Sequence, residues 1–403
     1  MNLRIKRVML LLMAVVSGVC VKAVDFTSGG VSYNITDAKG LVVEVTAGET
    51  KYSGTVTIPG TVSNGGKTYN VKSIGNYAFS QCTDLVKIII GSKVESIGYH
   101  AFYNCTSLKN INWSNNIRNY GGEVFRGCTA LTSVELSSSL ETMGGSVFAD
   151  CKNLTDVTIN EGCAVVGESA FVNCTKLGTV NIPNSVTTLG GSAFSGCVAL
   201  TTANIGDGVK YFNNYTFMDC IALETVRIGP KVAEINHRAF YNCPALKSFT
   251  CYSVEPPTLN GEAFSSYTSA VYVPVSAVNE YKAADVWKKF GTYIEALPSY
   301  VYLSIKQSIG GSVKARLNVG ESYNFSIQPA NGVKLNSILF NGTDVTKQMV
   351  ENTYVTPAIT EDSELVVNFD TDNSQSRKGD MNGDNKLDAA DVVLLVDKVM
   401  KEQ

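Results

Sequence analysis

The chain has little charge, little tryptophan and almost no histidine. Only 17% of its 403 residues are Asp, Glu, Lys or Arg, against roughly a quarter in ordinary soluble domains. The 33 basic and 36 acidic residues leave a formal net charge of −3, which excludes the strongly basic profile of a nucleic-acid binder. The two histidines, His100 and His237, read as loop surface residues at variable positions, not as paired bases. Carboxylates recur in no fixed pair, so glycosidase geometry is unsupported. A catalytic role has no residues to carry it. No run beyond the N-terminus is apolar enough for a transmembrane segment.

What is present begins with a leader. Arg4, Lys6 and Arg7 precede the apolar run Val8 to Val16, and Val21-Lys22-Ala23 places small residues before a cleavage point. This reads as a secretory signal peptide over 1–23. Lipidation at Cys20 is the rival reading, and Val19 is a poor residue to precede it. Loss of the leader removes four basic residues and no acid, giving a mature net charge of −7. The expected location is secreted, extracellular or cell-surface.

The rest is dominated by one period. Cysteines fall at 82, 105, 128, 151, 174, 197, 220 and 243, each 23 residues from the last. Phenylalanines from Phe79 to Phe240 and leucines from Leu85 to Leu246 keep the same step. One unit reads L-x-x-V-x-I-x-x-x-V-x-x-I-G-x-x-A-F-x-x-C-x-x, the signature of a solenoid whose stacked repeats share a core. Leu177, Val180 and Ile182 have strand-like inward spacing, with Thr179 and Asn181 pointing outward. Ala170, Cys174 and Leu177 are spaced as a short helical turn facing the core. Gly98, Gly121, Gly144, Gly167, Gly190, Asn213 and Asn236 share one column, which predicts a left-handed turn there.

Stacking in register explains the cysteines. Each would lie near its copies at about the 4.8 Å strand spacing, slightly beyond disulfide geometry. Cys163 replaces an Ile, Leu or Val of other repeats, and Cys251 replaces an Ile. A reduced, buried ladder is therefore expected, with some disulfides as the alternative. A metal reading is weaker, since no C-x-x-C pair occurs.

The unit resembles the BspA-type leucine-rich repeat of bacterial surface proteins, and Leu177 to Thr201 (LGTVNIPNSVTTLGGSAFSGCVALT) follows that pattern almost throughout. The resemblance implies binding of host proteins or neighbouring cells. Segment 24–70 alternates apolar and polar residues around Asn64-Gly65-Gly66, as for a hairpin-rich N-terminal β cap. The solenoid is expected over 71–264 and a C-terminal cap over 265–297, with Ala277 to Phe290 as its closing helix. A partner's default surface is the concave sheet. Its outward positions are mostly Thr, Asn and Ser and include no aromatic residue, which suits either plain solvation or a polar ligand such as a glycan. Thr158, Asn181, Asn204 and Arg227 are the candidate ligand contacts.

Segment 298–370 leaves the repeat. Tyr323, Phe325 and Ile327 alternate, as do Leu365, Val367 and Phe369, and glycine-containing turns separate four or five strands. GGSV, YNFSIQPANG, NGTDVT and ITEDSELVVNF resemble the internalin B-type repeat, which implies a spacer or secondary adhesion module. A linker, 371–378, leads to the final segment, 379–403. There Asp380, Asn382, Asp384, Lys386 (by its carbonyl), Asp388 (through water) and Asp391 have the oxygen spacing of an EF-hand loop, so the expected cofactor is calcium. Asn385 stands where glycine is usual. Val392, Leu395, Val396 and Val399 predict an apolar helix stripe. The segment resembles half of a type I dockerin, which implies a cohesin-type scaffold as partner. A dockerin has two such segments, and Ala389-Ala390 replace its common Ser/Thr pair.

The fold class is thus mainly β with short helical turns: a leucine-rich repeat solenoid, a small β-rich domain, and a calcium loop plus helix. The leading function is a non-catalytic binding scaffold or adhesin for host or extracellular protein or glycan ligands. The alternative is an accessory component of an extracellular polysaccharide-degrading assembly.

Overall fold

The L-x-x-V-x-I segments form strands because alternate apolar side chains can enter a shared core while the rest stay wet. In the computed structural model, which describes residues 24–297, 300–307, 312–318, 322–327, 333–350, 352–359, 363–371 and 394–396, Thr179–Ile182, Thr202–Ile205, Thr225–Ile228 and Ser248–Cys251 pair in parallel. Each residue faces its counterpart 23 positions on: Asn181 faces Asn204, and Asn204 faces Arg227. The V-x-x-I segment forms a second parallel ladder of two-residue strands from Ser96–Ile97 to Thr258–Leu259.

The third side of each coil differs from the expected helical turn. Ala170, Cys174 and Leu177 are buried as expected, but the backbone there does not make an α-helix. Ser169, Phe171 and Asn173 donate their N–H groups to Gly191, Ala193 and Ser195 of the next repeat, at 2.8, 2.8 and 2.9 Å. Ala170, Val172 and Cys174 donate back within their own repeat. A helix would send every N–H along itself and leave none to join the repeats.

This alternation also corrects the role of the glycine column. The left-handed residues form two columns beyond it: two positions on, at Tyr77, His100, Glu123, Ser146, Ser169, Ser192, Tyr215 and Arg238, with φ of 54–62°, and six positions on, from Gln81 to Asn242, with φ of 54–74°. The glycines serve close approach instead. A Cβ on Gly167 would sit 2.3 Å from the Gly144 carbonyl oxygen, and one on Gly144 would sit 2.5 Å from that of Gly121.

Inside the coils, phenylalanines stack from Phe79 to Phe264, with centroids 4.9–5.5 Å apart and planes within 12° of parallel. Beside them run the cysteines. All ten described cysteines are free and buried, and each thiol from Cys105 to Cys243 in the 23-residue series donates to the phenylalanine carbonyl of the preceding repeat at 3.0–3.2 Å. Burial pushes the thiols of Cys151, Cys197 and Cys243 up to about 12 from 9.0.

At the N-terminal end, Thr61–Asn64 and Lys67–Ile74 form a hairpin around Gly65 and Gly66, both left-handed at φ 56° and 75°, as Asn-Gly turns require. At the other end the closing helix is shorter than expected. The α-helix covers only Val278–Ala283, and left-handed Val286 (φ 69°) breaks the chain before Trp287. That break lets Trp287 fold under the last coil and donate its indole N–H to the Pro257 carbonyl at 2.7 Å.

The chain divides into two compact units, Met1–Glu295 and Ala296–Gln403. In the second, Tyr300–Gln307 pairs antiparallel with Ser312–Asn318 and parallel with Ser363–Thr371. Val333–Phe340 pairs antiparallel with Ser363–Thr371 and turns through Asn341-Gly342 into Thr343–Asp344. A separate ladder joins Asn324–Ile327 to Thr353–Val355 and Leu394–Val396. Residues 300–371 thus hold seven described strands, not four or five. Leu395 and Val396, expected on a helix stripe, lie in the last of these paired strands, where they supply backbone partners to an otherwise open strand edge. The buried residues include Tyr323, Phe325, Ile327, Leu365 and Val367.

Candidate functional site

Two faces of the solenoid present side chains in registered rows. On the sheet face, Asn204 donates its amide to Asn181 Oδ1 at 2.8 Å, and Arg227 Nη1 donates to Asn204 Oδ1 at 3.2 Å. Three of the four expected contact residues therefore form one hydrogen-bonded row. Asn181 is exposed, Asn204 and Arg227 are half-buried, and the row ends on buried Thr250. Such a row offers amide and guanidinium edges to a polar ligand while its members hold one another in place.

Thr158 is the preceding member of the same column, one repeat before Asn181, but its strand is not paired with theirs. It is exposed and belongs to a two-stranded ladder, Ser133–Glu135 with Asp156–Thr158, opposite Glu135. That ladder is not paired with Thr179–Ile182. A further break falls after Asn110–Asn112, next to Trp113, which stands where other repeats hold Ile, Leu or Cys and packs on Tyr120 and Phe125.

The turn face holds residues the sequence did not single out. His100, expected as a loop surface residue, has only 17% of its side chain exposed. It stacks on Tyr99 at 3.8 Å and Tyr103 at 4.6 Å and meets Tyr77 edge-on at 5.1 Å. Its Nε2 lies 3.0 Å from Glu123 Oε2, which also accepts from Arg126 Nη1 at 2.9 Å. Arg126 Nε reaches Asp150 Oδ2 at 3.3 Å. Burial works to raise the Glu123 carboxyl, but Arg126 and His100 hold it below its ordinary value. Partial burial and the Glu123 carboxylate push the Tyr99 hydroxyl up. Two aromatic residues in one repeat, Tyr99 and Tyr103 beside His100, were the available sequence signal.

His237 repeats the theme towards the other end. It meets Tyr215 edge-on at 5.5 Å, and next to it Arg238 lies 4.8 Å over Tyr241 and reaches Glu262 at 3.2 Å. Among the described residues, no group of three or more His, Cys, Asp or Glu is placed to hold a metal. The expected calcium ligands, Asp380, Asn382, Asp384, Lys386, Asp388 and Asp391, lie outside the described residues, as does the leader, 1–23. No described helix is long and apolar enough to cross a membrane.

The model described as BspA type leucine rich repeat region matches in six copies over residues 66–177 and 146–270, together just over half of the chain. No curated protein matches. Among solved structures, a leucine-rich repeat protein from Bacteroides ovatus is 29% identical, with 63% of this chain and 83% of that one covered and a TM-score of 0.49. A leucine-rich repeat protein of T. pallidum is 24% identical, covering 55% and 90%, with a TM-score of 0.40. A leucine-rich cell surface protein from Faecalibacterium prausnitzii is 21% identical, covering 64% and 90%, with a TM-score of 0.32.

Proposed function

This chain belongs to the BspA-type leucine-rich repeat family, and from that premise we propose that it is an exported, non-catalytic binding scaffold for host or extracellular protein or glycan ligands. The observation that carries the reading is the sheet-face row, in which Asn181, Asn204 and Arg227 are hydrogen-bonded in register and turned outward. The row is pre-organised, so a polar ligand laid across it would find its amide and guanidinium edges already placed. The leader at 1–23 supports export. The module over 298–370 would act as a spacer or secondary adhesion element.

The test is binding of the exported chain, 24–403, to matrix proteins and to cells. Combined Thr158→Ala, Asn181→Ala, Asn204→Ala and Arg227→Ala substitution should weaken it by about tenfold or more, as loss of several hydrogen bonds implies. Unchanged binding would move the site off this face.

A second reading rests on the oxygen spacing from Asp380 to Asp391. In it, the C-terminal segment binds Ca²⁺ and docks the chain to a cohesin-type scaffold within a polysaccharide-degrading assembly. Calorimetric Ca²⁺ titration of the full chain should show binding heat that Asp380→Ala/Asp384→Ala abolishes. Equal heats would refute calcium binding, and failure of a cohesin to capture the calcium-loaded chain would refute docking.

A further inference from the structure

Exposed tyrosines gather at one end of the turn face, where the backbone ladder does not require them. In the first left-handed column the middle repeats carry Ser146, Ser169 and Ser192, whereas the first repeats carry Tyr77, His100 and Glu123 and the last carry Tyr215 and Arg238. A bulky residue on left-handed backbone is strained where glycine would not be. The bonds that join the repeats there are made by backbone groups, so the ladder needs no large side chain. His100 is packed among tyrosines, but Tyr77 stands exposed on the same left-handed backbone, and strain kept at an exposed ring marks a site of function.

The rings at this end are both exposed and held. Tyr77 and Tyr99 are 37% and 39% exposed. Tyr99 is stacked on His100, meets Tyr77 edge-on at 5.7 Å, and brings its Cδ2 and Cε2 beside Gly122, where a Cβ would come within 3.3 Å of them. Its hydroxyl donates to Glu123 Oε1 at 3.3 Å. Fixed aromatic faces therefore border a network of planar acceptors and donors, Glu123, Arg126 and Asp150, whose groups are already oriented.

We propose that this patch binds a neutral oligosaccharide. The C–H face of a pyranose ring stacks on a tyrosine ring, and its hydroxyls bond to the carboxylates and guanidinium at the rim. A site set in advance loses little freedom on binding. A protein partner suits the patch less. It would need about 800 Å² of surface with a dry apolar centre, whereas these rings alternate with ionised groups. The inference rests on the binding-scaffold reading but not on its choice of the sheet face.

The exported chain, 24–403, is titrated with four hexasaccharides: β-1,4-linked glucose, xylose and mannose, and α-1,4-linked glucose. Binding is read by calorimetry and by saturation-transfer NMR. At least one should bind, and Tyr99→Ala should weaken it about tenfold, the effect of one lost ring contact. Tyr99→Phe, which keeps the ring but loses the Glu123 bond, should weaken it less. Should Tyr99→Ala disturb the fold by circular dichroism, Tyr77→Ser, which installs the residue of the middle repeats, carries the same test. The sheet-face variant should bind the saccharide unchanged. If no hexasaccharide binds, or if binding survives Tyr77→Ser/Tyr99→Phe intact, the inference is overturned. If the sheet-face variant alone abolishes saccharide binding, this site falls while the sheet-face reading stands.

Discussion

The sheet face and the turn face of the solenoid solve the same stacking problem by different means. On the sheet face, side chains take part: Asn181, Asn204 and Arg227 bond to one another along the row. On the turn face, the backbone does the joining through alternate N–H groups, with the phenylalanine stack and the thiols behind it. Outward side chains there bond across some steps, as Asn173 does to Asp150 and Asn242 to Asp219, but the backbone ladder demands no one residue type. This freedom explains why one column can hold Tyr, His, Glu, Ser and Arg in successive repeats, while its inner neighbours remain Ala, Val or Thr and then Phe. Variation in a repeat protein is most informative where the backbone alone maintains the fold.

Alkali should produce the largest effect, because the thiols lie behind the turn face. Cys151, Cys197 and Cys243 have folded values of about 12, above the ordinary 9.0. The protonated thiols thus stabilise the solenoid below pH 9, and that contribution is lost as pH climbs towards 12. Each thiol then costs about 1.4 kcal/mol per pH unit, so several together should unfold the solenoid before pH 12. Urea midpoints followed from pH 8 to 11 should fall steeply, and Cys151→Ala should flatten the fall. A midpoint that does not move would contradict the thiol ladder.

Phe171→Ala comes next. It empties the middle of the ring stack shared by both faces and should cost about 3–5 kcal/mol in chemical denaturation. Gly167→Ala should cost about 1–3 kcal/mol, because its Cβ meets backbone that cannot step aside; a neutral result would contradict the close approach of the coils there. The smallest effects separate the two faces directly. Asn204→Ala should lose about 0.5–1.5 kcal/mol with its row of hydrogen bonds. Ser169→Gly should be neutral or stabilise by up to about 1 kcal/mol, since relief of left-handed strain exceeds the added freedom of the unfolded chain. If Ser169→Gly destabilised more than Asn204→Ala, the division of labour between the faces would be wrong.

Much of this architecture was legible in the 23-residue period. The columns of Leu, Phe and Cys were identifiable as core because only positions in register can share one stack, and the register of Asn181, Asn204 and Arg227 follows from the same count. The hairpin at Asn64-Gly65-Gly66 was legible for a local reason, its need for positive φ. The patch around His100 was not. Tyr77, His100 and Glu123 share one column, but Tyr99, Arg126 and Asp150 lie in others and the six come from four repeats, so the 23-residue count alone does not gather them. His100 resembled a surface residue because a variable column is ordinarily solvated, yet Tyr99, Tyr103 and Glu123 cover it. The closing helix was overextended for a similar reason. The apolar spacing of Tyr281, Trp287 and Phe290 did not disclose that Val286 would turn left-handed to bring Trp287 under Pro257.

The repeat length, the identity of the inward columns and the outward polarity of the main strands can all be read from sequence, because they depend on periodicity and burial alone. Tertiary structure decided what each column does. A glycine that could have served a left-handed turn serves close approach between coils, since neighbouring backbone lies within 3 Å of its missing Cβ. Residues spaced like a helical turn lie instead in a chain that gives half its hydrogen bonds to the next repeat. Those outcomes depend on where the neighbouring coil lies, and a single unit's sequence does not contain that position.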